Sequence, residues 1–417
     1  MHVHVELASP AHVAPVRATA ALVAGLAGVP VRAKAILFAF LNIGGGALLV
    51  RLPGGRGLLF GDGEGESAEL RINDYRFAKR VLASGDIGLA EGLMAGEWDS
   101  PDLSALLTLL AANVGHFMRL LEGGPLGKAM HWLRHITRQN TRAGARRNIL
   151  AHYDLGNRFY AAWLDPGMTY SSARYDAPVR DLETAQIAKY RALAEHLELK
   201  PGEYVLEIGC GWGGFAEFAA KEYGARVLGI TISDEQFAYA RARMVKAGLS
   251  DRVEIRRQDY RDVEGSFDKV ASIEMFEAVG EKYWTAYFAK IAAVLKPGGR
   301  AGLQIITIQE ELFENYRRRA DFIQRYIFPG GMLASLERLR DEAAGAGLIW
   351  SKADAFGQSY AETLAEWGRR FQAKWDEIHA LGFDERFKRL WLFYLGYCEA
   401  GFRTGRTDVV QLALAKP

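Results

Sequence analysis

Residues 204–214, reading Y-V-L-E-I-G-C-G-W-G-G, constrain the fold more than any other part of this chain. Val205 to Ile208 is an apolar run of strand length. It breaks at Gly209, Gly211, Gly213 and Gly214, and a helical pattern resumes at Phe215. Glycines at this spacing permit a tight turn and let a ligand approach the backbone, while the following helix offers its free N–H groups. Any strand-to-helix turn can use glycine, so the neighbours decide. Glu207 ends the strand, where a carboxylate can receive a ligand ammonium or order its water. A second strand over 226–232 ends at Thr231 with Gln236 just beyond, and a third over 253–256 leads into Gln258-Asp259-Tyr260. Dinucleotide-binding units place an acid at the end of the second strand to hold a ribose. Thr231 stands there instead, which disfavours NAD.

Strands are expected near 204–208, 226–232, 253–256, 268–273 and 300–306, alternating with helices, and Lys296-Pro297-Gly298-Gly299 forms the turn before the fifth. This alternation predicts an α/β fold with a mostly parallel sheet covered on both faces. Its ligand belongs at the carboxyl ends of the first strands. Segments 349–353 and 409–414 are candidate closing strands, and 310–342 is an insertion holding Arg317-Arg318-Arg319. Two aromatic helices are expected around 367–375 and 390–402. The whole domain spans 148–417. Ahead of it, residues 1–115 read as a smaller α+β domain. Two short strands within 47–60 flank Pro53-Gly54-Gly55, and helices are expected over 73–84 and 103–114. Nothing in that domain suggests catalysis.

A length of 417 residues suits two or three domains, and a net charge of +2 makes no case for nucleic acid by itself. The charge is unevenly placed. A basic helical linker over 116–147 carries Arg134, Arg138, Arg142 and Arg146, which fall on one helical face. It reads either as a solvated helix or as a patch for anionic lipid head groups, where each basic residue can add about 1 kcal/mol. Nucleic acid is the weaker choice, because no aromatic platform accompanies the arginines. Cys210 and Cys398 give no disulfide framework, which fits a reducing compartment. The N-terminus lacks the basic start of a signal peptide, and the apolar run 35–50 is shorter than the ~20 residues of a spanning helix. A cytoplasmic protein without a transmembrane span is therefore expected.

With these pieces in order, the second domain resembles the class I S-adenosylmethionine (SAM) methyltransferases. More narrowly, it resembles the cyclopropane-fatty-acyl-phospholipid synthases and their mycolic acid cyclopropane synthase relatives. The matching residues are His152-Tyr153-Asp154-Leu155-Gly156-Asn157, Leu164-Asp165-Pro166, Tyr170-Ser171 and the G-C-G-W-G-G turn. Thr231-Ile232-Ser233, Gln258 to Asp262, Met275-Phe276-Glu277, Tyr326 to Pro329, Phe356-Gly357 with Tyr360, and Glu385-Arg386-Phe387 complete the set. The match covers nearly all of 148–417, and 70–100 resembles the N-terminal domain of the phospholipid-acting members. The resemblance implies that Gly209, Gly211 and Gly213 hold SAM with Glu207. It puts Thr231 and Gln236 at the ribose, Asp259 and Tyr260 beside the adenine, and Tyr170 and Ser171 at the methionine tail. It also implies a bicarbonate ion that serves as base, with Ser172, Glu277, Gln304, Ile306 and Tyr360 as its shell. The implied substrates are unsaturated acyl chains of phospholipids, reached from the inner face of the membrane, and a homodimer through the first domain.

The chemistry demands such residues. An alkene is a poor nucleophile, so methylation leaves a positive charge on the acyl chain that must be kept from water. Aromatic faces stabilise it by on the order of 0.5–2 kcal/mol each, with Tyr153, Tyr170, Phe276 and Tyr360 as candidates. Glu277, set between Met275-Phe276 and Ala278-Val279, should have a raised pKa suited to proton relay. The family usually has Cys at Ser172 and His at both Gln304 and Ala278. Loss of a proton from the new methyl closes a cyclopropane, and loss elsewhere leaves a methyl- or methylene-branched chain. A methyltransferase for small amines or hydroxyls, and an inactive membrane-surface protein, are the competing readings.

Overall fold

The computed structural model describes residues 14–121, 155–176 and 181–417. Tyr153 and its His152–Asp154 surroundings, and the linker arginines from 134 onward, lie outside the described residues. The chain divides into two compact units. One holds the described residues up to 121 together with Glu385–Ala400, and the other holds those from 155 to 384 together with Gly401–Pro417.

The first unit is built on a five-stranded sheet. Its strands are β1 (Val16–Arg17), β2 (Gly46–Arg51), β3 (Gly57–Gly61), β4 (Glu66–Ile72) and β5 (Trp98–Asp99), in the order β1-β3-β2-β4-β5. β2 and β3 pair antiparallel around the Pro53-Gly54-Gly55 turn, as the sequence predicts, with φ of +94° and +88° at the two glycines. Alternate residues of β2 face the core: Leu48 and Val50 are fully buried. The expected helices form as Arg76–Ser84 and Leu103–Ala112, the latter capped by Asp102 accepting the Ala105 N–H at 2.9 Å. Residues 385–400, read from sequence within the second domain, pack with this unit. Arg389 donates to the Leu93 carbonyl at 3.0 Å and Tyr397 to Asp86 at 3.0 Å.

The second unit is a seven-stranded sheet. Its strands are β6 (Tyr204–Ile208), β7 (Arg226–Thr231), β8 (Val253–Arg257), β9 (Phe267–Ile273), β10 (Leu295–Ile308), β11 (Ile349–Ala355) and β12 (Thr407–Ala415). Their order is β11-β12-β10-β9-β6-β7-β8. β8, β7, β6, β9 and β10 run parallel, and β12 enters antiparallel between β10 and β11. Alternation along the strands splits the core in two. Val205, Val227 and Ile255 pack with the helices Leu182–His196 and Gly214–Glu222 on one face. Leu206, Leu228 and Val270 pack with the helix Trp284–Val294 on the other. Lys296–Gly299 is not a turn ahead of the fifth strand: it is an irregularity inside β10, where the register against β9 shifts between Leu295 and Arg300. The strand order reverses between β6 and β9, so a crevice for ligand opens at their carboxyl ends. Among the described residues no helix is long and apolar enough to cross a membrane.

Candidate active site

The carboxyl ends of β6, β7, β8, β9 and β10 carry most of the candidate residues. Gly209 and Gly213 sit at φ of +81° and +83°, the left-handed region that favours glycine. A Cβ on Gly209 would lie 2.7 Å from Met275 Cγ, whereas one on Gly211 would meet nothing within 4 Å. The turn is therefore packed from beneath and open at Gly211. Glu207 is 2% exposed and its Oε2 has no partner. Burial pushes its carboxyl up to about 8, against the pull of Arg243 and Lys189.

The next two strand ends follow the same plan. Thr231 Oγ1 donates to Gln236 Oε1 at 2.8 Å, and Ser233 caps the helix Asp234–Lys246 by accepting the Gln236 N–H. Asp259 caps the short turn Tyr260–Asp262 and pairs with Arg261 at 2.6 Å. Burial pushes the Tyr260 phenol up to about 12. Tyr170 and Ser171 lie on the loop ahead of the helix Leu182–His196, whose Lys189 donates to Ser171 Oγ at 2.7 Å.

Rings connect the glycine turn to a second, acidic centre. Trp212 of the turn lies 5.1 Å from Tyr160, Tyr160 5.3 Å from Tyr170, Tyr170 5.3 Å from Trp367, and Trp367 6.2 Å from Tyr360. The Tyr360 hydroxyl then donates to Glu274 Oε2 at 2.7 Å. Glu274 Oε1 accepts the Ser172 N–H and the Gln304 amide, both at 2.8 Å. Gln411 donates to Gln304 Oε1 at 3.0 Å, which fixes the amide so that its NH2 faces Glu274. Glu277 accepts the Ile306 N–H through one oxygen, and its other oxygen has no partner. Burial, and then the charge of Glu274, push Glu277 up to about 8. Phe276 is packed in the core, stacked 5.3 Å from Trp284.

Two site residues escaped sequence reasoning. Lys189 reads as one cation on an ordinary helix, yet it is fully buried, and desolvation brings it down to about 8 against the fields of Glu274, Asp165 and Glu207. Glu274 adjoins Met275-Phe276-Glu277 at the end of an apolar strand, which is the signal that could have found it. It also sits at φ of +49°, a conformation rare for a residue with a Cβ.

The site fits SAM: Gly211 leaves the backbone open, and the orphaned Glu207 oxygen can take an ammonium. It does not fit bicarbonate. The donors of Ser172, Gln304 and Tyr360 are engaged by Glu274, and that of Ile306 by Glu277, so a further anion would meet like charge.

A family profile described as mycolic acid cyclopropane synthetase matches residues 140–412. The tuberculostearic acid methyltransferase UfaA1 of Mycobacterium tuberculosis is 41% identical over 354 residues, covering 81% of each chain. The cyclopropane-fatty-acyl-phospholipid synthase of Escherichia coli K12 is 36% identical over 357 residues, covering 84% of this chain and 88% of its own. The crystal structure of mycolic acid cyclopropane synthase CmaA1 complexed with SAH and CTAB superposes with a TM-score of 0.62 at 30% identity, over 65% of this chain and 98% of that one. This chain belongs to the mycolic acid cyclopropane synthetase family of SAM-dependent methyltransferases.

Proposed function

We propose that this protein adds a one-carbon unit from SAM to the double bond of unsaturated acyl chains in membrane phospholipids and closes a cyclopropane. The ring path from Trp212 to Tyr360 is the observation that carries this reading. It runs from the open glycine turn to a pair of buried carboxyls, the two things an alkene methylation needs. Bound SAM would supply an electrophilic methyl group. Gly209, Gly211, Gly213 and Glu207 would hold it, with Thr231 and Gln236 at its ribose, Asp259 and Tyr260 at its adenine, and Tyr170 and Ser171 at its methionine end. Tyr170 and Tyr360 present aromatic rings to the positive charge left on the acyl chain, each worth on the order of 0.5–2 kcal/mol.

The relative named for phospholipid acyl chains supports the substrate class. The basic stretch 116–147 supports peripheral contact with an anionic, cytoplasm-facing membrane surface. A homodimer through the first domain completes the proposal. A second reading, methyl transfer without ring closure, is favoured by the 41% identity to a tuberculostearic acid methyltransferase and by Ser172 and Gln304 standing where the family usually has Cys and His.

Incubation with SAM and vesicles of unsaturated phospholipid, followed by mass spectrometry and proton NMR of the released acyl chains, decides between them. A gain of one CH2 with loss of the alkene protons is expected. Retained alkene protons would select the second reading, and unchanged lipid would sink both.

A further inference from the structure

We propose that Glu274 is the base of this reaction, a carboxylate built into the chain where the family resemblance implies bicarbonate. The inference rests on the function proposed above and names the residue that completes it. Three donors from three separate segments converge on one side chain: the Ser172 N–H, the Gln304 amide and the Tyr360 hydroxyl. The backbone holds Glu274 in the left-handed region, a conformation of order 1 kcal/mol unfavourable for a residue with a Cβ, so the surrounding contacts impose it. Its N–H donates to the Gln304 carbonyl at 2.8 Å, which ties it to β10 at the point where the amide also grips its side chain.

The neighbouring acid cannot take the same role at neutral pH. Glu274 and Glu277 repel one another, and Glu277 keeps its proton to about 8. Burial also raises Glu274, but the Tyr360 hydroxyl, the Lys189 charge, the Ser172 N–H and the Gln304 amide all favour its ionised form. Three donors converge on Glu274 and only the Ile306 N–H reaches Glu277, so the geometry favours the ionised form at Glu274. Its oxygens differ as well. Oε1 accepts two donors and is filled, while Oε2 accepts the Tyr360 hydroxyl and keeps a lone pair.

The step balances without an added ion. Once the new C–C bond has formed, the acyl chain carries a positive charge. A C–H bond of the new methyl group breaks, its electron pair closes the ring, and the proton passes to Glu274 Oε2. Glu274 gives the proton up to water once the product has left, which restores its carboxylate.

The test combines product formation with direct ion binding. In buffer stripped of bicarbonate, the wild-type enzyme is expected to keep its full rate, and 13C-bicarbonate should show no saturable binding by NMR. Glu274→Gln should lower the rate on the order of 10²- to 10⁴-fold while SAM affinity by calorimetry changes less than about threefold. Glu274→Gly suits the φ of this position and frees the three donors. It should bind 13C-bicarbonate and recover activity only when the ion is added. A wild-type enzyme that binds bicarbonate and needs it, or a Glu274→Gln variant with an unchanged rate, would overturn the assignment. If the wild type makes no lipid product under any condition, the proposed substrate fails, and the NMR arm still decides whether Glu274 occupies the anion position.

Discussion

At the scale of single residues, the site is a set of titratable groups removed from water. Glu207 and Glu277 both have folded values near 8, above the 4.5 of a free glutamate, so the folded chain holds protons that the unfolded chain releases. The stability they contribute is full below about 4.5 and is lost as pH rises through about 8. In urea melts at about pH 5 and about pH 8, Glu277→Gln should therefore lose less stability across that interval than the wild type. An equal slope would contradict the placement of Glu277. The same variant should impair product formation while leaving SAM binding largely intact, since Glu277 lies on the acid side of the ring path. Lys189→Met leaves Glu274 and Ser171 without their buried cation, and we expect a loss of about 3 kcal/mol in the same melts. Glu277 was legible from sequence because apolar neighbours flank it. Lys189 was not, because nothing in its own helix tells a buried lysine from a solvated one. Glu274 was passed over for a different reason: its role arises from Ser172, Gln304 and Tyr360, which only folding brings to it.

At the scale of elements, the glycine turn shows what local pattern can deliver. An apolar run, a burst of glycine and a helical period specified β6, the turn and the helix Gly214–Glu222 almost to the residue. Gly209→Ala should test the turn directly. Its φ of +81° and the 2.7 Å approach to Met275 predict a loss of about 1–3 kcal/mol in stability. SAM affinity should fall at least tenfold by calorimetry, about 1.4 kcal/mol, and an unchanged affinity would mean the turn does not cradle the cofactor. Lys296–Gly299 shows where pattern fails. Pro and two glycines read as a turn, but pairing with β9 at Leu295 and again from Arg300, where β12 joins, carries the strand through them as a bulge.

At the scale of the whole molecule, element order was enough for the parallel sheet and its crevice, because alternating strands and helices admit few topologies. The grouping of residues 385–400 with the first unit was not legible, since an amphipathic helix does not reveal which partner buries it. Contact with a membrane is a property of this scale. Sedimentation with anionic vesicles should exceed that with neutral ones and fall as salt shortens the screening length below the ~10 Å of 0.1 M. Equal sedimentation with both would mean that the basic stretch does not bind the membrane. The most direct test follows the carbon itself: the enzyme is incubated with SAM labelled with 13C in its methyl group and with unsaturated phospholipid vesicles, and the extracted lipid is examined by 13C NMR. The label is expected in a ring CH2 bonded to both former alkene carbons. A label found only on small amines or hydroxyls, with the acyl chains unlabelled, would contradict that expectation.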